Sequence, residues 1–325
     1  MNFKLRKTRT FIFSLACLAA LLALSVSTVF ALATAVVVDP THMNGWSFAV
    51  EGAATVKGNL IPGPGTAPLG LGSAHLAVTD ATGAGAVALK SAQFKGTLLN
   101  QIASITYSTY VTSAAVVAPM FQMEVDFNGT DTGRLIFEPP AASILPAQWQ
   151  QWTPLFFNWY GDTTPDGTCL QAAPCTWGTI LGKWPTAKIV ESDGEVLFKA
   201  GGALIWGNFD GNVDNFAFTT VDLTTTAFDF EPPADAYVDD DWAAVPPGTD
   251  PNADEDVLPN VMGLDAFTAI QEAIDVVQIG GNVYVAAGTY ANSGQIIVHK
   301  TLSLVGEDRD TTILNPLTDA IGGGD

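Results

Sequence analysis

Glu124 and Asp126 stand two residues apart in MEVDFNG, inside a run whose apolar residues alternate. Both carboxylates therefore leave the expected strand on one face, opposite Phe121, Met123, Val125 and Phe127. Paired carboxylates are the equipment of glycoside hydrolysis, one as nucleophile or orienter and the other as acid. Asn128 and Gly129 follow where a third acid would be needed, so the pair reads as a solvated strand face without a proton donor. A second constellation is aromatic: Trp149, Trp152, Trp159, Tyr160 and Trp177, interleaved with Gln148, Gln150 and Asn158. Rings of this kind stack on the apolar faces of sugars while neighbouring amides take the hydroxyls. Trp149 and Trp152 differ by three, which sends them to opposite faces of a strand and commits at least one to a core. Carbohydrate binding and core packing are thus both open to this group.

Two acidic patterns have the alternate-residue spacing of an oxygen-ligand calcium loop: Asp210, Asn212 and Asp214 in FDGNVDNF, and Asp250, Asn252 and Asp254 further on. Calcium is the candidate cofactor at both. Asn215 occupies the place of the loop's glycine, and Val221 that of its bidentate glutamate, so a hairpin turn at Asp210-Gly211 is the competing account. The second pattern lies in an acidic stretch that reads equally as a solvated spacer. Cys169 and Cys175, six positions apart, are expected to form a local disulfide. Zinc would need more ligands than these two and the scattered His42, His75 and His299.

The elements that must carry these residues are mostly strands. Gly (31) and Pro (19) are plentiful and charged residues make up only 14%, which argues against a helical bundle. Alternation places Ile105, Tyr107, Thr109 and Val111 on one face of ITYSTYV. Further short runs (36–39, 46–51, 74–79, 134–138, 187–191, 195–200 and 212–218) are separated by turns such as IPGPGTAPLGLGS. Residues 36–231 therefore read as an antiparallel β-sandwich of the jelly-roll kind. Residues 232–262 form an acidic, Pro-rich linker without Lys or Arg, in which YVDDDW is a short strand that meets the next domain. From 263 onward DAFTAIQEAIDVVQIGG is a helix, with Asp265 as its cap and Phe267, Ile270, Ala273, Ile274 and Val277 as its apolar stripe. Four short strands follow it in NVYVAAGTY, QIIVH, LSLVGE and TTIL, the entry of a parallel β-helix. The fold class is all-β, with one capping α-helix.

The N-terminus addresses the chain. Lys4, Arg6, Lys7 and Arg9 precede the apolar run FIFSLACLAALLAL and the small residues Ala31, Ala33 and Ala35, the pattern of a secretory signal peptide over residues 1–35. An uncleaved anchor is the alternative, and only in that form or as the leader would the chain meet a membrane. Without the leader 9 Lys+Arg face 33 Asp+Glu, a net charge of −24. Such a surface repels phosphate backbones, so nucleic acid is excluded as a partner. The expected location is extracellular or on the cell surface.

The combination of VVVD, GWSF, WQQW, GGALIWGNFDGNVDNFAF and FDFEPP resembles jelly-roll modules of secreted bacterial surface proteins, related in shape to lectin-like and carbohydrate-binding sandwiches. MEVDFNG is similar to the carboxylate signature of sandwich-fold endoglucanases, minus its last acid. The string from FTAIQEAIDVV to DRDTTIL resembles the N-terminal cap and opening coil of pectate-lyase-like and pectin-methylesterase-like right-handed parallel β-helix proteins. In the enzymes of that superfamily the working residues lie on later coils, so the resemblance transfers no catalytic position, and Lys300, Arg309 and Asp310 read as turn residues. The expected function is a secreted, non-catalytic protein: a sandwich with carbohydrate or calcium affinity joined to the truncated start of a β-helix stalk, with polysaccharide as partner. A polysaccharide-active enzyme cut short of its catalytic coils and a purely structural adhesion module are the alternatives.

Overall fold

The structure is a computed structural model that describes residues 35–52, 56–112, 116–192, 194–252, 258–259, 261–291 and 295–315. The expected leader, but for Ala35, and Asp254 lie outside the described residues. The sandwich contains β1 (Val36–Val38), β2 (Trp46–Glu51), β3 (Val56–Pro62), β4 (Gly72–Val78), β5 (Ala86–Ser91), β6 (Ile102–Val111), β7 (Met120–Asp126) and β8 (Thr132–Phe137). It continues with β9 (Gln150–Trp152), β10 (Asn158–Gly161), β11 (Cys175–Thr176), β12 (Lys188–Ile189), β13 (Val196–Gly201), β14 (Phe209–Thr220) and β15 (Thr225–Phe230).

In the first sheet β14 is the spine. β6 runs along one edge, while β4 and then β15 share the other, so the sheet reads β3-β4-β14-β6-β9 at one end and β1-β15-β14-β6 at the other. The changeover coincides with a register shift between Asp214 and Ala217, where Asn215 has φ of +54, a conformation asparagine tolerates and bulges use. The second sheet runs β11-β10-β8-β7-β13-β5-β2, with β12 beside β7. Pairing is antiparallel except that β1 runs parallel to β15, which departs from the wholly antiparallel expectation.

The core lies between the sheets. Ile105, Tyr107, Thr109 and Val111 are all buried, as are Phe121, Met123, Val125 and Phe127, so both alternations set the inward faces correctly. Trp46 bridges the layers: it stacks on Phe198 at 5.9 Å and meets Phe216, Phe228 and Phe230 edge-on at 5.3–5.6 Å. A short helix not expected from the sequence, α1 (Trp177–Lys183), begins where the Thr176 hydroxyl accepts the Thr179 N–H and buries Trp177 and Ile180. Just before it, Cys169 and Cys175 are disulfide-bonded. Closing so short a loop is worth about 2 kcal/mol in the chain-entropy model. Cys169→Ser/Cys175→Ser is therefore expected to lower the urea midpoint modestly without loss of fold.

The remaining described strands are β16 (Asp235–Val238), β17 (Ala266–Phe267), β18 (Asn282–Val285), β19 (Gly288–Ala291), β20 (Ser303–Gly306) and β21 (Thr312–Asn315). They pair in parallel, β17-β16-β18-β20 and β19-β21, with Ala236, Val283 and Leu304 in one row and Tyr237, Tyr284 and Val305 in the next. β16 lies within the stretch read as linker, beginning two residues before YVDDDW. QIIVH is not a strand. The second helix, α2 (Ile270–Val276), is shorter than expected. Asp265 does not cap it; this buried carboxylate accepts the Val261 N–H, and Ala266–Phe267 are drawn into pairing with β16. Ile270, Ala273, Ile274 and Val277 still pack on Ala236, Val238, Val283 and Val285. On the last strands Leu304, Val305, Ile313 and Leu314 are exposed.

Candidate functional site

Of the aromatic residues singled out by the sequence, Trp152, Trp159 and Trp177 are core. Trp159 is fully buried and the other two nearly so, which removes them from any contact with an external sugar. Their indole N–H groups are satisfied inside where the structure shows partners, Trp152 by the Thr109 hydroxyl and Trp159 by the Pro154 carbonyl. Trp149 and Tyr160 remain half-buried, but on opposite sides of the molecule. Tyr160 lies on β10 of the second sheet, donates to Glu138 Oε1 at 2.7 Å, and is held well above the usual phenol range, first by burial and then by that hydrogen bond. Trp149 precedes β9 of the first sheet. The five do not form one platform.

The first sheet's outer face brings other residues to Trp149. Cross-strand register places Asn59 opposite His75, His75 opposite Asn212, and Asn212 opposite Tyr110. The β6–β9 register then continues to Trp149, whose ring lies 5.6 Å from that of Tyr110. One row of side chains thus crosses five chain segments at strand spacings of about 4.8 Å. In it His75 Nδ1 meets Asn59 Oδ1 at 3.1 Å, and Asn212, itself buried, donates to Ser73. Diagonally adjacent, Asp210 lies 3.3 Å from His75 Nε2 and accepts from the Thr112 hydroxyl at 2.9 Å. The hydrogen bond from His75 is the main reason the Asp210 carboxyl sits below its ordinary range.

The loop between β3 and β4, residues 63–71, borders this row. It carries no charged side chain. The Trp149 indole donates to Pro64 O at 2.8 Å, and the Ser73 hydroxyl donates to Gly63 O. At its far end the Leu69 N–H donates to Asp214 Oδ2 at 2.9 Å and the Leu71 N–H to Glu231 Oε1 at 2.7 Å. Between them Gly70 has φ of +51, and any Cβ there would strike the Glu231 carboxylate. Gly70→Ala is expected to cost about 1–3 kcal/mol, read from a urea titration.

The calcium pattern is placed differently from expectation. FDGNVDNF is neither loop nor hairpin turn but lies in β14, and its side chains are engaged elsewhere: Asp210 with His75, Asn212 with Ser73, and Asp214, fully buried, with backbone N–H groups. Asp214 is pushed up to about 7, chiefly by burial. In the second pattern Asp250 Oδ1 accepts the Asn252 N–H at 2.8 Å, a turn-forming contact. Glu124 and Asp126 face outward as expected; Glu124 pairs with Arg134 at 3.0 Å, and Asp126 accepts from the turn N–H groups of Asn128 and Gly129.

A concavity of about 560 Å3 lies over the parallel sheet beside Tyr237, Tyr284, Trp242 and Pro259. The two tyrosine rings stack on each other at 5.3 Å and 24°, so facing surfaces are spent on the pair. Among the described residues no helix is long and apolar enough to cross a membrane.

No family model matches the sequence, and neither does any curated protein. Among solved structures, one described by its work on promiscuous carbohydrate-binding modules of the β-sandwich superfamily shares 12% identity and a TM-score of 0.32, over 54% of this chain and 56% of that one. The family 11 carbohydrate-binding module from Clostridium thermocellum, in complex with a β-1,3-1,4-mixed-linked tetrasaccharide, shares 13% and 0.33, over 58% and 91%. The module TmCBM61 with β-1,4-galactotriose shares 9% and 0.29, over 55% and 89%.

Proposed function

We propose that this chain is an exported, non-catalytic carbohydrate-binding protein, a β-sandwich that takes a polysaccharide across the outer face of its first sheet. One observation carries the reading: the register row Asn59–His75–Asn212–Tyr110–Trp149, in which two half-buried rings adjoin a line of amide, imidazole and carboxylate groups. Aromatic surface beside convergent polar groups suits an amphipathic sugar, whose ring faces are apolar and whose rims are hydroxylated. Asp210 and the net negative charge favour a neutral glycan over a polyuronate. Export is supported by the basic-then-apolar leader and by the disulfide, which suits an oxidising compartment. The parallel strands β16, β18 and β20 read as the opening of a right-handed β-helix stalk, supported by their in-register stacking under α2.

A glycan array of neutral glucans, galactans and xylans, read with the full chain, tests the first part. Trp149→Ala is expected to weaken the best ligand about thirtyfold, the loss of one central aromatic anchor. Tyr160→Ala, on the opposite face, should leave affinity unchanged. An array without a binder removes the reading and leaves a structural adhesion module. For the stalk, Val283→Asp should unfold the parallel unit, whereas Leu304→Asp, on the exposed strand, should be tolerated.

A further inference from the structure

Two carboxylates meet at the foot of the 63–71 loop. Asp229, on β15, and Glu231, just past its end, both border Gly70: a Cβ there would strike Glu231 Oε1 and come within 3.0 Å of Asp229 Oδ1, which is buried with no partner. Two carboxylates brought this close in a partly buried site repel unless one of them keeps a proton. Burial and mutual repulsion accordingly push Glu231 up to about 7, and Asp229 is raised as well. Every charged neighbour that acts on the pair is another acid: Asp214 on β14 lies next to Asp229. The loop and β1 contribute no charge. On β4, His75 is turned to Asp210 and Asn59, and on β3, Lys57 is paired with Glu272. No cation compensates the pair within this surround.

The pair is also a fastener. Glu231 Oε1 accepts the Leu71 N–H, Gly70 lies flat against both carboxylates, and the same loop presents the Pro64 carbonyl on which the Trp149 indole is seated. We propose that the Leu69–Leu71 turn is a proton-controlled latch: the Asp229–Glu231 pair, with one proton between its carboxyls, pins the turn to the sheet and so steadies Trp149, and loss of that proton to solvent releases both. The coupling to a ligand rests on the binding role assigned to Trp149 above; the latch itself does not.

The direction follows from linkage. With the turn closed the pair keeps its proton to near neutrality, whereas with the turn lifted both acids are solvated and ionise near their ordinary values. The closed form therefore binds the extra proton, is favoured at low pH, and loses ground as pH rises through neutrality.

Amide hydrogen exchange of the full chain, in chelator and without sugar, reads the latch directly. Corrected for the intrinsic rate, protection of the Leu69–Leu71 amides is expected to be at least tenfold lower at pH 8 than at pH 5. In Glu231→Gln, which carries a permanent hydrogen where the proton sat, the Leu71 amide should lose most of its pH response, the remainder being the part that Asp214 imposes and Asp214→Asn removes; Asp229→Asn should behave alike and serves if the first variant folds poorly. Equal protection of the natural chain at both pH values, or a variant that keeps the full pH response, overturns the latch. With the best array glycan, affinity should fall from pH 5 to pH 8 in parallel with protection. An affinity that ignores pH while exchange follows it overturns the coupling to Trp149. A chain that binds no glycan but passes the exchange test retains the latch and loses only the proposed ligand.

Discussion

Trp46→Ala is expected to lower the unfolding free energy by about 3–5 kcal/mol, roughly a third to a half of the stability of an average domain. The indole is 3% exposed and touches rings from both layers, Phe198 on the second sheet and Phe216, Phe228 and Phe230 on the first. Its removal leaves a void that rigid rings on two hydrogen-bonded sheets can close only in part. The contrast is Trp46→Phe. The buried Trp46 Nε1–H has no hydrogen-bond partner, a cost that phenylalanine abolishes while keeping most of the apolar contact. This second variant is expected within about 1 kcal/mol of the natural protein. Urea denaturation of both settles the matter, and two equally destabilised variants would show that the size of the indole, not its aromatic contacts, sets the loss.

Stability is expected to fall by about 3 kcal/mol between pH 5 and pH 8, with Asp214 as the principal source. This acid is fully buried and raised to about 7, against an ordinary value of 3.8. The folded protein therefore holds a proton that the unfolded chain has already released, and the penalty for ionising Asp214 grows as pH climbs from about 4 to about 7. Glu231 adds a slope of the same sign, reduced because solvent reaches it. The opposing groups act elsewhere. Asp210, Asp166, Asp222 and Glu51 are lowered, so their stabilisation is lost only as pH drops below the usual carboxylate range. Lys300, brought down to about 8 by burial, contributes slope only above that value. Thermal melts at pH 5, 6.5 and 8 check the trend, and Asp214→Asn should remove most of it. A profile flat in the natural protein would place Asp214 in contact with water.

The sandwich was legible because two of its strands alternate apolar with polar residues. ITYSTYV and MFQMEVDF alternate so regularly that their inward residues could be named in advance, and Trp149 and Trp152 part to opposite faces as their spacing requires. β3, β5, β9, β10, β11 and β15 were missed. VKGNLIP contains a glycine and ends in proline, residues that argue against a strand, yet Gly58 is needed because Phe48 and Val87 occupy the space of its side chain. Since β3 supplies Asn59, one end of the cross-strand row was invisible with it. The row is a product of register across chain segments far apart in sequence, and no local pattern encodes register. Burial misled the aromatic reading for a related reason: Trp159 and Trp177 look like display residues because tryptophan clusters are common at binding surfaces, but here they fill the end of the core beside the disulfide. The start of FDGNVDNF reads as a turn because Asp, Gly and Asn are turn formers, whereas in the folded chain pairing on both edges begins the strand at Phe209, three residues ahead of the expected run 212–218. For the helix, the apolar stripe was legible and the start was not, because Ala266 and Phe267 gain more from pairing beside Tyr237 and Val238 than from an extra turn of helix.

Because the row runs perpendicular to the strands, each of its positions is drawn from a different stretch of polypeptide, Asn59, His75, Tyr110, Trp149 and Asn212. Under the proposed role, Tyr110 and Trp149 can each be rewritten by a single codon to alter one subsite, whereas Asn212, buried on Ser73, and His75, tied to Asn59 and Asp210, are the fixed backing of the display.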